Sequence, residues 1–260
     1  MQQEFAKYHV PHEAAGLECF EGAFTQQCFP WHYHETYTVV MVHAGAAVYD
    51  FNRLQLQVNA GEVLVVNPLE PHCNYAAAEP GWTYSVFFLP VHAFAHTNCA
   101  VPLFNRSVVC TPQAYTELAK LHTQLKHTAD ATLVQTGMQQ VADCLLQFAA
   151  YTKGNQHSDE RLLPALSLME KELYRKLSIN ELAASCFMSV SHFQRVFKKC
   201  MGLTVHAFLH MKRMDAGRRL LNQRLEIAAA AQEAGFFDQS HFHHSFKKMW
   251  GLTPGSYLAE

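Results

Sequence analysis

Three histidines and two clusters of polar side chains mark where this sequence could do chemistry. His32 and His34 form an H-x-H pair, and His72 follows later in "NPLEPHCN". Neutral imidazoles that converge can hold Zn²⁺ or Fe²⁺. They can equally supply the polar groups of an organic-ligand pocket whose walls would come from Trp31, Tyr37 and Trp82. The other clusters lie in a repeated stretch. "SHFQRVFKKCMGLT" begins at Ser191 and "SHFHHSFKKMWGLT" at Ser240, with the apolar positions kept and the outward ones changed. Ser191, Gln194 and Arg195 in the first copy answer to Ser240, His243 and His244 in the second, where Gln239 stands just ahead. Arg and Gln make bidentate contacts with guanine and adenine edges, and Lys198, Lys199, Lys247 and Lys248 could neutralise phosphates without reading sequence.

The spacing within each copy predicts a helix. Phe193, Phe197 and Cys200 recur every three to four residues, as do Phe242, Phe246 and Met249, so each set is expected to face a core. Gly202 and Gly251 stand where a left-handed residue would end the helix, and Thr204 and Thr253 can cap the next one. Ahead of each copy lies a short helical segment, "SINELAAS" and "EIAAAAQEA", and a longer helix is expected from Val205 to Asn222. Helix, turn and helix, twice, is the arrangement that presents a recognition helix to the major groove. Eighteen residues at about 1.5 Å each span about 27 Å, close to the roughly 34 Å between groove segments on one face of B-DNA. A bundle with ordinary solubilising lysines is the plain alternative.

The earlier part of the chain has a different texture. From about residue 17 to 90, runs such as "YTVVMVHAGAAVYDF" and "EVLVVNP" alternate with turn signals, which predicts an antiparallel sandwich or small barrel. Thr111 and Pro112 open a helix, and Asp130 caps another in which Val134, Met138, Val141 and Leu145 form an a/d seam running on to Phe148. That seam could cover its own barrel or pair with a second copy. "TKGNQHSDE" (152–160) reads as the interdomain linker.

Net charge divides the chain in the same place. Residues 1–159 hold 6 Lys+Arg and 13 Asp+Glu, or −7, and residues 160–260 hold 14 and 9, or +5. The basic half is the candidate for a polyanion. No apolar run is long enough to cross a membrane and the N-terminus lacks a signal pattern, so a cytoplasmic protein without membrane contact is expected. Eight cysteines without any C-x-x-C pair point to reduced thiols rather than a disulfide framework or a zinc site.

"LSINELAASCFMSVSHFQRVFKKCMGLT", "MKRMDAGRRLL" and "GFFDQSHFHHSFKKMWGLTPGSY" together resemble the DNA-binding domain of the AraC/XylS family of bacterial transcription regulators. "HYHETYTVVMVHAG" and "AGEVLVVNPLEPHCN" resemble the two motifs of the cupin barrel, which that family often carries as its effector sensor. The resemblance implies an α+β multidomain chain. Residues 1–105 would form the cupin-like sensor, 106–153 a helical connector, and 160–260 an all-α domain with two helix-turn-helix units. It implies double-stranded DNA, a small-molecule effector and RNA polymerase as partners, no catalysis, and the eleven polar residues named above at the DNA, and it tilts the seam at 134–148 toward a homodimer. Activation and repression stay open.

Two departures from the family pattern stand out. Phe187 occupies a turn position where glycine is common, and Ala230 replaces a larger aliphatic, which predicts looser packing in the second unit. The cupin metal pattern carries a Glu four or five residues after the second His, where this chain has Thr38 and Val39. Glu35 is expected on the opposite strand face. A metal-free effector pocket of Trp31, His32, His34, Tyr37, His72 and Trp82 is therefore favoured over a divalent-metal site of the three histidines. The rival functions are a metal-dependent cupin enzyme with a helical appendage and a helical adaptor that binds only proteins.

Overall fold

The computed structural model describes residues 4–12, 15–51, 54–97, 101–105, 108–153, 160–175 and 177–258. The chain divides into two compact units, residues 1–155 and 156–259. Among the described residues no helix is long and apolar enough to cross a membrane.

The first unit is a nine-stranded antiparallel sheet folded over on itself. Its pivot is β4 (Tyr37–Asp50), which follows β1 (Phe5–His12), β2 (Leu17–Phe24) and β3 (Cys28–His32). β5 (Gln55–Asn59), β6 (Val63–Val66), β7 (His72–Ala76) and β8 (Trp82–Leu89) come next. The first half of β4 pairs with β6 and β8, and the second half with β5 and β7. Between the halves the register against β8 shifts, and Gly45 takes φ +70°. A Cβ there would lie 2.0 Å from the Gly81 carbonyl oxygen, so only glycine allows the strands this close.

Two-residue alternation sorts the side chains into two cores. Val40, Val42, Leu64, Trp82, Tyr84, Val86 and Phe88 face inward with Phe20 and Phe24. Val39, Met41, Val63, Val65, Phe87 and Leu89 face the other way, and two helices cover them: α1 (Pro112–Leu125) and α2 (Ala131–Phe148). Both faces of these strands are buried, which is why the sequence reads as unbroken apolar runs.

The a/d seam is spent inside this layer. Val134, Met138, Val141 and Leu145 are all buried against the chain's own sheet, so the seam offers no face to a second copy. The tilt toward dimerisation through it is corrected. Asp130 caps α2 by accepting from the Thr132 and Leu133 amides. Thr111 holds the cap position of α1 without a side-chain cap bond, and Pro112 sets the first turn. β9 (Pro102–Phe104) pairs with β11 (Tyr151–Lys153), and β10 (Val108–Val109) extends the sheet beside β6. Most of the expected linker, residues 154–159, lies outside the described residues.

The second unit is helical: α3 (Leu163–Lys171), α4 (Ile179–Ser185), α5 (Val190–Met201), α6 (Val205–Asn222), α7 (Ile227–Glu233), α8 (Gln239–Trp250) and α9 (Pro254–Leu258). α6 is the long joining helix at its expected bounds, and it packs on both halves. The apolar stripe Leu162, Met169 and Leu173 is buried, with Leu166 half-buried. The second half is tightly packed, contrary to the expectation from Ala230. That residue is fully buried, and Phe242 lies so close to Gly217 of α6 that an added Cβ would meet its ring at 2.5 Å.

Candidate nucleic-acid interface and inner histidine site

Local rules fix each recognition helix at both ends. Ser178 and Glu181 form a capping box at the start of α4. Ser189 caps α5 by accepting from the His192 amide, and Asp238 caps α8 through His241 at 2.7 Å. Gly202 (φ 68°) and Gly251 (φ 77°) end them in the left-handed conformation. The turns ahead are closed alike: the Met188 amide reaches the Ala183 carbonyl at 3.0 Å, and Phe236 reaches Ala231 at the same distance.

These two turns differ in a way the sequence only half disclosed. The left-handed position is Phe187 (φ 55°) in the first unit and Gly235 (φ 79°) in the second. Phe187 therefore holds a backbone conformation that side chains adopt only at a cost, and its side chain is 98% exposed, so no burial offsets it. The short helices repeat 48 residues apart whereas the caps Ser189 and Asp238 lie 49 apart. Phe237, 93% exposed, is the additional residue of the second turn.

The inward and outward faces separate as predicted, with three exceptions, one being Met249, which is half-buried while Trp250 takes the inward place. Phe193, Val196 and Phe197 bury one face of α5, and Phe242, Phe246 and Trp250 that of α8. Cys200 is exposed rather than inward, because it lies in the last turn of α5, where Leu203 beyond the cap fills the core. His243 is half-buried, the one outward candidate not fully at the surface. Ser191, Gln194, Arg195, Lys198 and Lys199 are exposed on α5, and Gln239, Ser240, His244, Lys247 and Lys248 on α8. Arg195 donates to Nδ1 of His192 at 3.1 Å, which holds the guanidinium over the N-terminal turn. The Nδ1 of His244 donates to the Ser240 carbonyl at 3.0 Å.

Not every base of this unit belongs to that face. Arg213 donates to the Leu173 carbonyl at 3.0 Å and the Arg175 carbonyl at 2.9 Å, tying α6 to the segment after α3. Its role is structural, and charge counting alone could not have told it from a phosphate contact.

In the first unit the structure brings His32, His34 and His72 together, with one ligand nitrogen from each within 4.8 Å of the others. His32 ends β3 and His72 begins β7, and these strands pair there. The His32 Nδ1 donates to the Pro30 carbonyl at 2.7 Å, and the His72 Nδ1 to the Glu70 carbonyl at 2.9 Å. Each ring therefore carries its proton on Nδ1 and leaves Nε2 as a lone pair. Burial, with the neighbouring His72, pushes the His32 imidazole down to about 3, and burial lowers His72 to about 4. Both are neutral at physiological pH. Aromatic rings surround them: Phe88 beside His34 (centroids 4.7 Å) and Tyr49 and Phe51 beside His72.

Of the other expected pocket residues, Trp82 belongs to this interior, stacked on Tyr84 at 3.7 Å with no hydrogen-bond partner for its indole N–H among the described residues. Trp31 and Tyr37 do not belong there. Trp31 is exposed because it alternates with the inward His32 along β3. Tyr37 faces the helix-covered layer, where its hydroxyl donates to the Pro102 carbonyl at 2.8 Å. Glu35 is exposed, as its place beside His34 required. Missed by sequence reasoning were Tyr49, Phe51 and Phe88, whose inward alternation was readable but whose approach to the histidines depends on how β4 folds over.

Comparison with known proteins agrees with both halves of this geometry. Residues 14–142 match the family model described as an AraC-like ligand binding domain, and residues 182–260 match one described as a helix-turn-helix domain. The probable transcriptional regulator LumQ of Photobacterium leiognathi is 31% identical over 125 residues, 47% of this chain and 50% of that one. The match thus spans about half of that relative's length. The HTH-type transcriptional activator RhaS of Enterobacter sp. (strain 638) is 23% identical over 234 residues, covering 84% and 83% of the two chains. Among solved structures, unsaturated fatty acid bound wild-type ToxT from Vibrio cholerae strain SCE256 superposes with a TM-score of 0.61 at 11% identity, covering 99% and 97%. That last likeness concerns fold alone. Two ordered family matches, one on the folded-over sheet and one on the paired recognition helices, make this chain a member of the AraC/XylS family of transcription regulators.

Proposed function

We propose that the chain is a sequence-specific DNA-binding transcription regulator whose first unit holds a small-molecule effector. The observation that carries this is the second unit's doubled design. Two capped helices of equal length keep their aromatic faces buried while their N-terminal polar edges and following lysines stay exposed. α5 reads one major-groove segment through Ser191, Gln194 and Arg195. α8 reads the next through Gln239, Ser240, His243 and His244. Lys198, Lys199, Lys247 and Lys248 sit on phosphates. Because the edges differ in chemistry, the two half-sites differ in sequence.

An effector shifts a regulator only by binding two arrangements of the chain with unequal affinity. The inner histidine site and its aromatic walls are the place for it, and the helices at 112–151, which join the two units along the chain, transmit the change. Membership in this family supports RNA polymerase as the downstream partner, a cytoplasmic site of action and a binding rather than enzymatic role. Any second copy of the chain would join through a surface other than the α2 seam.

The test is DNA affinity against salt, using duplexes selected from a random-sequence library. Counterion release predicts a linear fall of log affinity with log salt, at about 0.9 for each phosphate neutralised. A folded protein with no DNA affinity at low salt refutes the reading. A protein that binds without any sequence preference refutes the base-reading roles.

A further inference from the structure

The three inner histidines form a more specific device than a polar pocket. Two of their rings are locked by main-chain carbonyls, His32 by Pro30 and His72 by Glu70, so that Nε2 and not Nδ1 is offered. This outer hydrogen bond is how proteins orient a histidine that ligates a metal. The third ring, His34, is half-buried just past the end of β3 and packs on His32, His72 and Phe88. Two nitrogens about 2.0–2.1 Å from one ion lie about 3.3 Å apart in tetrahedral geometry. The separations, at most 4.8 Å, need therefore close by no more than roughly 1.5 Å for all three nitrogens to reach one ion.

The donor set fixes what such an ion would still lack. All three donors are neutral. Glu70 is turned away, its Oε2 accepting from the Asn67 amide and side chain at 3.2 and 2.9 Å. Glu35 is exposed, and no carboxylate joins the cluster among the described residues. A dication held here keeps its full charge among Tyr49, Phe51 and Phe88, where an uncompensated charge is costly. One further group faces the same interior. Thr38 pairs across the sheet with Phe88, whose ring touches His34, and its buried hydroxyl has no hydrogen-bond partner among the described residues. It occupies the stretch where the metal-binding pattern would carry a carboxylate.

We propose that His32, His34 and His72 hold a divalent transition-metal ion through three neutral nitrogens, and that the missing carboxylate is supplied by the effector, an organic anion that ligates the ion and accepts a hydrogen bond from Thr38. This rests on the reading that the first unit binds the effector. It adds the metal and the chemical class. The ligand set changes from four protein donors to three protein donors and one from the signal, which makes occupancy of the open position the sensed event.

The experiment uses the full chain without a histidine tag, stripped by chelator and dialysed. Titration with Co²⁺ alone should give one equivalent per chain with visible d–d absorption. Adding acetate, as the simplest carboxylate probe, should shift those bands saturably. His34→Ala, chosen because that ring is half-buried, should lose the tight equivalent while keeping its circular dichroism and its affinity for a selected duplex. His72→Gln is the second variant and should behave alike. Thr38→Val should keep the Co²⁺ equivalent and weaken the acetate shift by about 5- to 10-fold, the loss of one hydrogen bond of about 1–1.5 kcal/mol. A folded wild-type chain that takes up no Co²⁺, or whose uptake survives both histidine variants, overturns the metal site. Uptake with bands indifferent to acetate overturns the anionic effector. DNA affinity measured on the stripped protein judges the regulator reading separately.

Discussion

The seam on α2 gives the sharpest test of how the first unit is held together. Val141 is fully buried between α2 and the sheet, among Val39, Met41 and Phe87 of the same core. Val141→Ala removes two methyl groups, about 1.6 kcal/mol of transfer free energy at about 0.8 each, and the cavity left behind raises the loss to about 2–3 kcal/mol. For a unit of this size about 1 kcal/mol moves the melting temperature by about 2–4 °C, so a drop of roughly 5–10 °C is expected. Val141→Glu adds a carboxylate with no partner at that depth, and the first unit should not fold stably. Leu133→Glu, on the same helix but 58% exposed, should leave the melting temperature within about 1 °C. The assay is thermal denaturation with sedimentation on the same samples. Were Val141→Glu to melt like wild type while halving the sedimenting mass, α2 would be a dimer face and the intrachain packing argument would be wrong.

Three further outcomes follow from single residues. Arg195→Ala should cost about 1–3 kcal/mol at one base position of a selected duplex, and a loss uniform over all sequences would make Arg195 a phosphate contact. Gly217→Ala would drive a methyl into the Phe242 ring at 2.5 Å, so overpacking should destabilise the second unit by about 1–3 kcal/mol, whereas an unchanged melt would show that α8 can shift. His122 lies on the buried face of α1, with its imidazole lowered to about 4, chiefly by burial, in the presence of Glu21, Lys126 and His43. Its folded value lies below the ordinary one, so the unfolded chain binds the proton first, and the stability this group allows at neutral pH declines as pH falls from about 6.5 toward 4. His122→Leu should flatten that part of the stability–pH curve, and an unaltered slope would place the titration elsewhere.

What the sequence disclosed follows from which signals are local. The helices of the second unit were readable because each carries its own ends: Ser178 with Glu181, Ser189, Thr204, Asp238, and the glycines at 202 and 251. Caps act within four residues, so a single chain displays them. The extra residue at Phe237 went unnoticed because aligning "SHF" with "SHF" fixes the recognition helices and hides the 48-residue spacing of the short helices behind them. β1 was missed because "FAKYHVPH" alternates only weakly and earns its place by pairing with β2.

The inner site was half legible for the opposite reason. Alternation along β3 puts Trp31 opposite His32 and should have removed it from the pocket at once, whereas His34 lies past the strand's end and joins the cluster from the turn. Tyr37 was lost differently. Between His32 and β4 the chain turns through residues 33–36, so strand alternation does not carry from β3 into β4, and Tyr37 was placed in the pocket on its aromatic type rather than on any strand face. Once β4 begins, Thr38, Val40 and Val42 share the inner face and Tyr37, Val39 and Met41 the outer one. Parity restarted at residue 37 therefore names Thr38, and not Val39, as the group that stands in for the absent glutamate. A histidine cluster with a buried hydroxyl in place of its carboxylate is a site completed from outside the chain, and in a regulator the outside component is the signal.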